Sequence, residues 1–576
     1  MPTPRTENAP DLRPDAGTTA VIEQIGYWPA DDGSDEPLHV ALHLPARPVG
    51  AAVIVGSIGW EFHKNYRREV LLARRLAEQG LAVARFHYRG LGESGGEPGS
   101  TTLDSMTADA RRVRDLLRHR TGLPSVALVG IRAGALVAAA VAGQCEPVPV
   151  VLWDPVVAGA DYVRELTRIQ RVWQVTRAAS GSSTQAADDG TPGAALNVLG
   201  FRLSADLLAQ LREARLGPWL ESSACAVLSM HVGGASRHAA PAAPAPRGPH
   251  RATETVPGRI DWWMKRLSFE PEESSPVTRA LIARTAQWLT PAGPRTDAEP
   301  DPAGGRAREP GPAQTGTTAT MSATALVGGV PREAVRVNAG GDLLAGFLTG
   351  PTAPDAGLAA VILNCGGYHV TSGPGGLWTL LADKLAALGV PSLRLSYRGV
   401  AESTGTVTDF DLTRPRTEEL RAARARLAEL GYARHVLLGG CLGARTCCAA
   451  DLEGVAGLGL VSLPVHREAL AAVSDSRKTA AGGDGPDAWL NTALLDDLGR
   501  CVASGVPLRI VYSEHEPYRR DLLRAAEETG AGAGLLGRGR GRLGLTLIPG
   551  PDSMVEPHAV SDELAGFVGR LVAPRG

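Results

Sequence analysis

Gly439-Gly440-Cys441-Leu442-Gly443 holds one cysteine between glycines in the spacing Gly-x-nucleophile-x-Gly. Where such a run joins a strand to a helix, its middle residue stands on a sharp turn, and a Cβ at either outer glycine would strike neighbouring backbone. The middle side chain then projects above the sheet. The next amide, here that of Leu442, points to where an oxyanion would develop. A thiolate at the start of a helix is favoured by the helix dipole. The chemistry expected of Cys441 is attack on an ester or thioester carbonyl, which calls for an imidazole within hydrogen-bond reach and a carboxylate to orient it. An inert buried cysteine is the alternative, although it needs neither paired glycines nor this setting.

The pattern occurs a second time, as Gly130-Ile131-Arg132-Ala133-Gly134. A guanidinium is always charged and is no nucleophile, so this turn is expected to have lost covalent acyl transfer. A charge at that position calls for a carboxylate, an anionic ligand or water. Asp154, in Trp153-Asp154-Pro155, is the candidate structural partner, and an anion-binding pocket is the other reading.

The elements that must position these turns repeat one plan. In the first half the predicted order is strand Gly50 to Gly56, helix Arg67 to Gln79, strand Leu81 to His87, helix Leu103 to Arg118 and strand Ser125 to Val129. In the second it is strand Leu358 to Leu363, helix Leu377 to Leu388, strand Val390 to Ser396, helix Thr417 to Leu430 and strand His435 to Leu438. Each half has Tyr-Arg-Gly-x-x-Glu-Ser after its second strand, at Tyr88 to Ser94 and Tyr397 to Ser403, which indicates an internal duplication. Alternating short apolar strands and helices predict the α/β class: two tandem domains, each a mostly parallel sheet flanked by helices with a small helical cap. Neither half has a Gly-x-Gly-x-x-Gly after its first strand, which argues against two dinucleotide-binding halves.

A chain of 576 residues is too long for one core. Composition divides it into a polar leader 1–18, a first domain 19–290, a Pro/Gly-rich linker 291–326 and a second domain 327–576. With 59 Lys+Arg against 61 Asp+Glu, the near-neutral charge excludes a globally basic nucleic-acid protein and an acidic disordered one. No apolar run is long enough to span a membrane, and the N-terminus lacks the apolar core of a secretory signal. Seven scattered cysteines form neither a disulfide framework nor a zinc pair, so a cytoplasmic setting is expected. No metal or cofactor constellation stands out.

On these residues each half resembles an α/β-hydrolase of the broad serine-aminopeptidase and acyl-hydrolase kind. The closer resemblance is to bacterial hydrolases encoded beside exopolysaccharide or natural-product genes. Their turn Arg-x-Asp-Tyr-Arg-Gly-x-Gly-x-Ser-x-Gly is matched well by Arg85 to Gly96 and less well by Arg394 to Gly405. The resemblance implies the chain order nucleophile, acid, histidine. Glu516 then falls on the acid position, with Glu514 as alternate. The family's histidine position is held by Ser553, so His558, five residues later, is the expected base, with His515 and His369 as alternates. The second oxyanion donor would come from the loop of Gly367 and Tyr368. In the first half the acid and histidine positions are empty too, and His63 and Lys64 are expected on the loop beside Arg132, where they would contact an anionic ligand. Helical inserts at Pro464 to Leu498 and Val156 to Trp219 are expected to cap the two pockets.

The function expected from the sequence is a cysteine-dependent acyl hydrolase or acyltransferase, thioesterase-like, acting on a small-molecule or carrier-bound acyl substrate. The first half would be a pseudo-hydrolase serving stability, dimerisation or substrate capture. The alternatives are a non-catalytic binding or scaffold protein, and a dienelactone-type lactone or carbon–carbon hydrolase.

Overall fold

The computed structural model describes residues 21–29, 36–178, 195–233, 251–259, 262–263, 272–290, 321–351, 357–365, 370–407, 414–465, 490–528, 543–550 and 552–573. The first half contains strands β1 (Val21–Trp28), β2 (Leu38–Pro45), β3 (Gly50–Val55), β4 (Leu81–Phe86), β5 (Ala127–Ile131), β6 (Val150–Trp153), the hairpin β7 (Leu196–Val198) and β8 (Phe201–Leu203), β9 (Val227–Val232) and β10 (Arg251–Val256). Its helices are α1 (Gly59–Glu78), α2 (Leu103–Thr121), α3 (Gly134–Ala142), α4 (Gly159–Ala178), α5 (Ala205–Glu213), α6 (Gly217–Ser222) and α7 (Pro276–Leu289).

The second half contains β11 (Thr324–Val327), β12 (Val330–Ala339), β13 (Asp342–Thr349), β14 (Leu358–Leu363), β15 (Ser392–Leu395), β16 (Arg434–Gly440), β17 (Val455–Val461), β18 (Leu508–Ser513) and β19 (Leu543–Ile548). The helices are α8 (Leu377–Ala387), α9 (Thr417–Glu429), α10 (Leu442–Cys448), α11 (Thr492–Ser504), α12 (Pro517–Glu528) and α13 (Pro557–Val572).

The sheets share one topology. The first runs β1-β2-β4-β3-β5-β6-β9-β10, and the second β12-β13-β15-β14-β16-β17-β18-β19 with β11 added outside β12. In each, the first two strands and the fourth pair antiparallel, and the rest are parallel. The two halves are therefore tandem α/β-hydrolase-like folds. The leading antiparallel strands, which carry no crossover helix, went unnoticed in the sequence.

Side-chain alternation divides each half into layers. Ala51, Val53 and Val55 of β3 face the core under α2 and α3, while Ala52 and Ile54 face that under α1 and α7. In β14, Ala359, Val361 and Leu363 face α9 and α10, and Leu358, Ala360 and Ile362 face α8 and α13. Two-sided burial is why these strands read as unbroken apolar runs.

The structure differs from the sequence expectation at two places. α1 begins at Gly59, so His63 and Lys64 lie in a helix and are buried, not on a loop. Residues Met321 to Leu326, given by composition to the linker, include most of β11, and Ser322 pairs with Tyr27 of β1 through two backbone hydrogen bonds of 2.7 and 3.0 Å. Residues 291–320, and most of the insert expected to cap the second pocket, lie outside the described residues.

The repeated Tyr-Arg-Gly-x-x-Glu-Ser turn is a stitched element in both halves. Tyr88 donates to the Gly56 carbonyl at 3.0 Å and Tyr397 to that of Asn364 at 2.9 Å. Ser94 and Ser403 each donate to the carbonyl at the strand end, at 2.7 and 3.0 Å, and accept an amide from the adjoining antiparallel strand. The second variable position differs. Gly92 has φ +63°, and a Cβ there would stand 2.4 Å from His87 Nδ1. The second half has Ala401 at the equivalent place, at φ 49°, with Ser396 where the first half has His87. Gly92→Ala is thus expected to destabilise the chain by roughly 2 kcal/mol, from left-handed backbone plus overlap. Adding His87→Ser should recover part of that loss in urea unfolding. Simple additivity of the two single effects would refute this account of the glycine.

Candidate functional site

Both Gly-x-x-x-Gly turns form the strained bend that the spacing predicts. Arg132 has φ 54° and Cys441 φ 49°, values side-chain-bearing residues rarely adopt. The glycines are required by contact: a Cβ on Gly134 would lie 2.2 Å from the Val55 carbonyl oxygen, and one on Gly443 2.3 Å from that of Leu363. A second strained pair follows, Asp154 at φ 40° after β6 and Ser462 at φ 49° after β17.

In the first half, Arg132 is 3% exposed and bound on three sides. Its Nε donates to Glu61 Oε1 at 2.9 Å, Nη1 to Asp154 Oδ2 at 3.1 Å and Nη2 to Glu165 Oε2 at 3.3 Å. Tyr162 donates its hydroxyl to the other oxygen of Glu61 at 3.0 Å. Asp154 is thus where the sequence placed it. Glu61 and Glu165, from α1 and the cap helix α4, were missed, because nothing local to either marks it as a partner of residue 132. Burial raises the Glu61 pKa above the usual carboxylate range, and the Arg132 charge offsets only part of this. Such a guanidinium is an internal hub joining α1, β6 and α4. His63 packs edge-on against Phe62 and Phe201, with ring centroids 5.5 and 5.0 Å away.

In the second half, Cys441 is half-buried beside Met554, Cys365 and Trp378; these three side chains also crowd Gly440. Burial pushes its thiol up to about 12; the Leu442 amide, hydrogen-bonded to the sulfur, pulls down, while the Glu516 and Asp552 charges push further up. The Leu442 amide is therefore at the sulfur. Among the described residues no imidazole is hydrogen-bonded to Cys441. Cys365 is buried, with its sulfur 3.8 Å from that of Met554.

Glu516 sits at the end of β18, 4% exposed. Its Oε2 accepts the Ser513 amide at 3.1 Å and the Ser553 hydroxyl at 2.7 Å. Ser553 is fully buried and 2.6 Å from the Ser462 hydroxyl. With Glu516 ionised, Ser553 uses its one proton on the carboxylate, so Ser462 donates to Ser553. Burial, with a smaller contribution from Asp552, raises the Glu516 pKa to about 7. The structure therefore brings Ser553, not His558, to Glu516. His558 is exposed at the first turn of α13 and lines a different space. Glu514 is exposed and His515 half-buried in the turn before Glu516. Gly367, Tyr368 and His369 lie outside the described residues.

That different space is a cavity of about 1120 Å³ between the halves. From the first half it takes His63, Gly92, Phe201 and Leu203, and from the second Arg332, Asp383, Glu556 and His558; neither Arg132 nor Cys441 lines it. No described helix is long and apolar enough to cross a membrane. Among the described residues there is no group of three or more His, Cys, Asp or Glu side chains that could hold a metal ion.

The model of a family described as serine aminopeptidase, S33, matches residues 52–192. Part of the first half is similar to that family. The match spans about a quarter of the chain and includes Arg132 where a serine hydrolase would have its nucleophile. No curated protein matches. Among solved structures, Est1E from Butyrivibrio proteoclasticus is 16% identical, covering 46% of this chain and 98% of that one, with a TM-score of 0.34. A thermostable carboxyl esterase from Bacillus coagulans is 13% identical over 47% and 100%, with a TM-score of 0.32. An esterase domain of a Rhodothermus marinus protein is 20% identical over 46% and 98%, with a TM-score of 0.31.

The cysteine-dependent reading is overturned. The matching family is serine-type, not a family of cysteine acyltransferases or thioesterases. The physics agrees, because a thiol pushed up to about 12 is almost wholly protonated at neutral pH. The dienelactone-type alternative depended on the same thiol and falls with it. The coarser statement stands: the fold is hydrolase-like and compatible with hydrolase-type activity.

Proposed function

We propose that the chain is a hydrolase-derived binding protein that holds a small-molecule ligand non-covalently in the cavity between its halves. Both elbow residues then serve as structural hubs. One observation carries this reading: Ser553 stands against Glu516 where a hydrolase needs its imidazole, so the carboxylate has a hydroxyl to accept from and, among the described residues, no base to orient. The tripled carboxylate clamp on Arg132 supports the same conclusion for the first half. The cavity combines apolar Phe201, Leu203 and Leu207 with charged groups of both signs, which suits an amphipathic ligand. The finer kinship, to hydrolases encoded beside exopolysaccharide or natural-product genes, rests on the shared Tyr-Arg-Gly-x-x-Glu-Ser turn and belongs to the same proposal.

The test combines turnover and labelling. p-Nitrophenyl esters, acyl thioesters and lactones should show no hydrolysis that Cys441→Ala abolishes. Iodoacetamide should alkylate Cys441 about a thousandfold more slowly than an ordinary thiol at pH 7, since a pKa raised from 9.0 to about 12 lowers the thiolate fraction by that factor. Rapid, selective alkylation of Cys441 would sink the proposal. A second reading, serine-type hydrolysis, is favoured by the family match over residues 52–192. Covalent labelling by a fluorophosphonate, expected to be absent, would restore it.

A further inference from the structure

The shared turn does more than stitch each half. Glu93, its acidic residue in the first half, is fully buried and receives Arg394 of the second half through Nη1 at 2.7 Å and Nη2 at 2.8 Å. Thr371, also of the second half, donates its hydroxyl to the same carboxylate at 2.9 Å. The mirror arrangement holds Glu402, the acidic residue of the second turn: Arg85 of the first half donates at 3.1 Å and the Tyr66 hydroxyl at 2.6 Å. Arg85 and Arg394 occupy the same place in sequence, three residues before the tyrosine of their own turns. Each half thus lends an arginine and a hydroxyl to the other's glutamate. A contact in which residue i meets j and j meets i is the signature of a two-fold, self-complementary interface.

We propose that the Arg-x-x-Tyr-Arg-Gly-x-x-Glu-Ser turn is a self-complementary docking element, and that the first half serves as the tethered partner subunit supplying counter-ions to the second.

The burial of the four charges makes the dependence mutual. Arg85, Glu93, Arg394 and Glu402 are each at most 4% exposed. Burial works against the charge of Glu93 and of Glu402, and the facing arginines more than offset it, holding both carboxyls below their usual range. A half separated from its partner would expose Arg394 and Glu402, or bury them unpaired, at high cost. The pairs therefore select a partner that has the same turn in the same orientation. Backbone contacts extend the match: Arg67 donates to the carbonyls of Ala401 and Ser403 at 2.8 and 3.1 Å. This also explains a first half kept without a nucleophile. The face by which one such domain would pair with a copy of itself is filled inside the chain, so a dimer of whole chains through it would require the halves to part.

The experiment uses the full chain with a protease site placed between residues 291 and 320. After cleavage the halves should elute together at the position of the intact chain, in 0.15 M and in 1 M salt, because buried pairs are little screened. In Glu93→Gln/Glu402→Gln the cleaved halves should separate, with affinity weakened about a hundredfold or more. Separation of the wild-type halves on cleavage would overturn the proposal, as would unchanged affinity in the double variant. Should that variant misfold, the exchange Glu93→Arg/Arg394→Glu decides: co-elution regained relative to Arg394→Glu alone supports the pairing, and no recovery refutes it.

Discussion

Arg132→Met should unfold the first half roughly 10 °C below the wild type, corresponding to a loss of about 3–5 kcal/mol. Methionine keeps most of the volume, so the loss reports charge and not a void. What remains is Glu61, Asp154 and Glu165 converging on the space the guanidinium filled. Two of them are almost without solvent, Glu61 at 1% and Asp154 at 5% exposure. The effect has a pH signature. Without the guanidinium, the folded-state pKa of Glu61, already raised by burial, rises further above its unfolded value. A raised carboxyl contributes stability that is fully present below its unfolded pKa and is lost as pH climbs through the folded one. The deficit of Arg132→Met should therefore shrink at pH 5 and widen at pH 8, measured by urea unfolding at both. A variant melting within a degree of the wild type would show that the elbow does not depend on this hub. The same comparison bears on function, because a site whose central charge is fully engaged in holding three elements together has none left for an anionic substrate.

Glu516→Gln should stabilise the chain at pH 8 by on the order of 3 kcal/mol and leave it nearly unchanged at pH 4.5. The sign follows from burial. The folded carboxyl has a pKa of about 7 against an ordinary 4.5. Below pH 4.5 both states are protonated and nothing is lost. Between 4.5 and about 7 the unfolded chain releases a proton that the folded one keeps, so stability falls as pH rises, and above that range the loss is complete. Glutamine retains an oxygen for the Ser553 hydroxyl and the Ser513 amide and has no charge to desolvate. The variant-minus-wild-type difference is the informative quantity, because other groups titrate in the same window. Burial lifts Glu69 to about 7 as well, adding a loss of the same sign. Burial lowers His39 to about 4 and His43 to about 3, and these imidazoles lose stability in the opposite direction, as pH falls below 6.5. Parallel profiles for Glu516→Gln and wild type from pH 4.5 to 8 would remove the basis for a desolvated carboxyl at this position. A glutamate that is half-protonated near neutrality is poorly suited to steady an imidazolium, which is the role the acid has in a working triad.

Much of this architecture was legible in the chain itself. The doubled strand–helix rhythm, the two Gly-x-x-x-Gly bends and the repeated Tyr-Arg-Gly-x-x-Glu-Ser are local patterns whose glycines and apolar alternation have one stereochemical use each. Those patterns sufficed for the tandem parallel sheets, for Arg132 and Cys441 on strained turns, and for Asp154 and Glu516 at strand ends. Other features lay beyond local reading. Glu61 and Glu165 are 71 and 33 residues from Arg132, and only the docking of α1 and α4 brings them to its guanidinium. His558 and Ser553 are five residues apart, and which of them meets Glu516 depends on where α13 begins. The matching family is serine-type, and its match, over residues 52–192, does not reach Cys441. Above all, Arg85 and Glu402 are 317 residues apart and Glu93 and Arg394 are 301. The turn residues were visible as a repeat, but their crosswise pairing is a property of two packed surfaces. Charge partners are chosen by desolvation at an interface, and desolvation is set by everything that covers the pair, not by the sequence on either side of it.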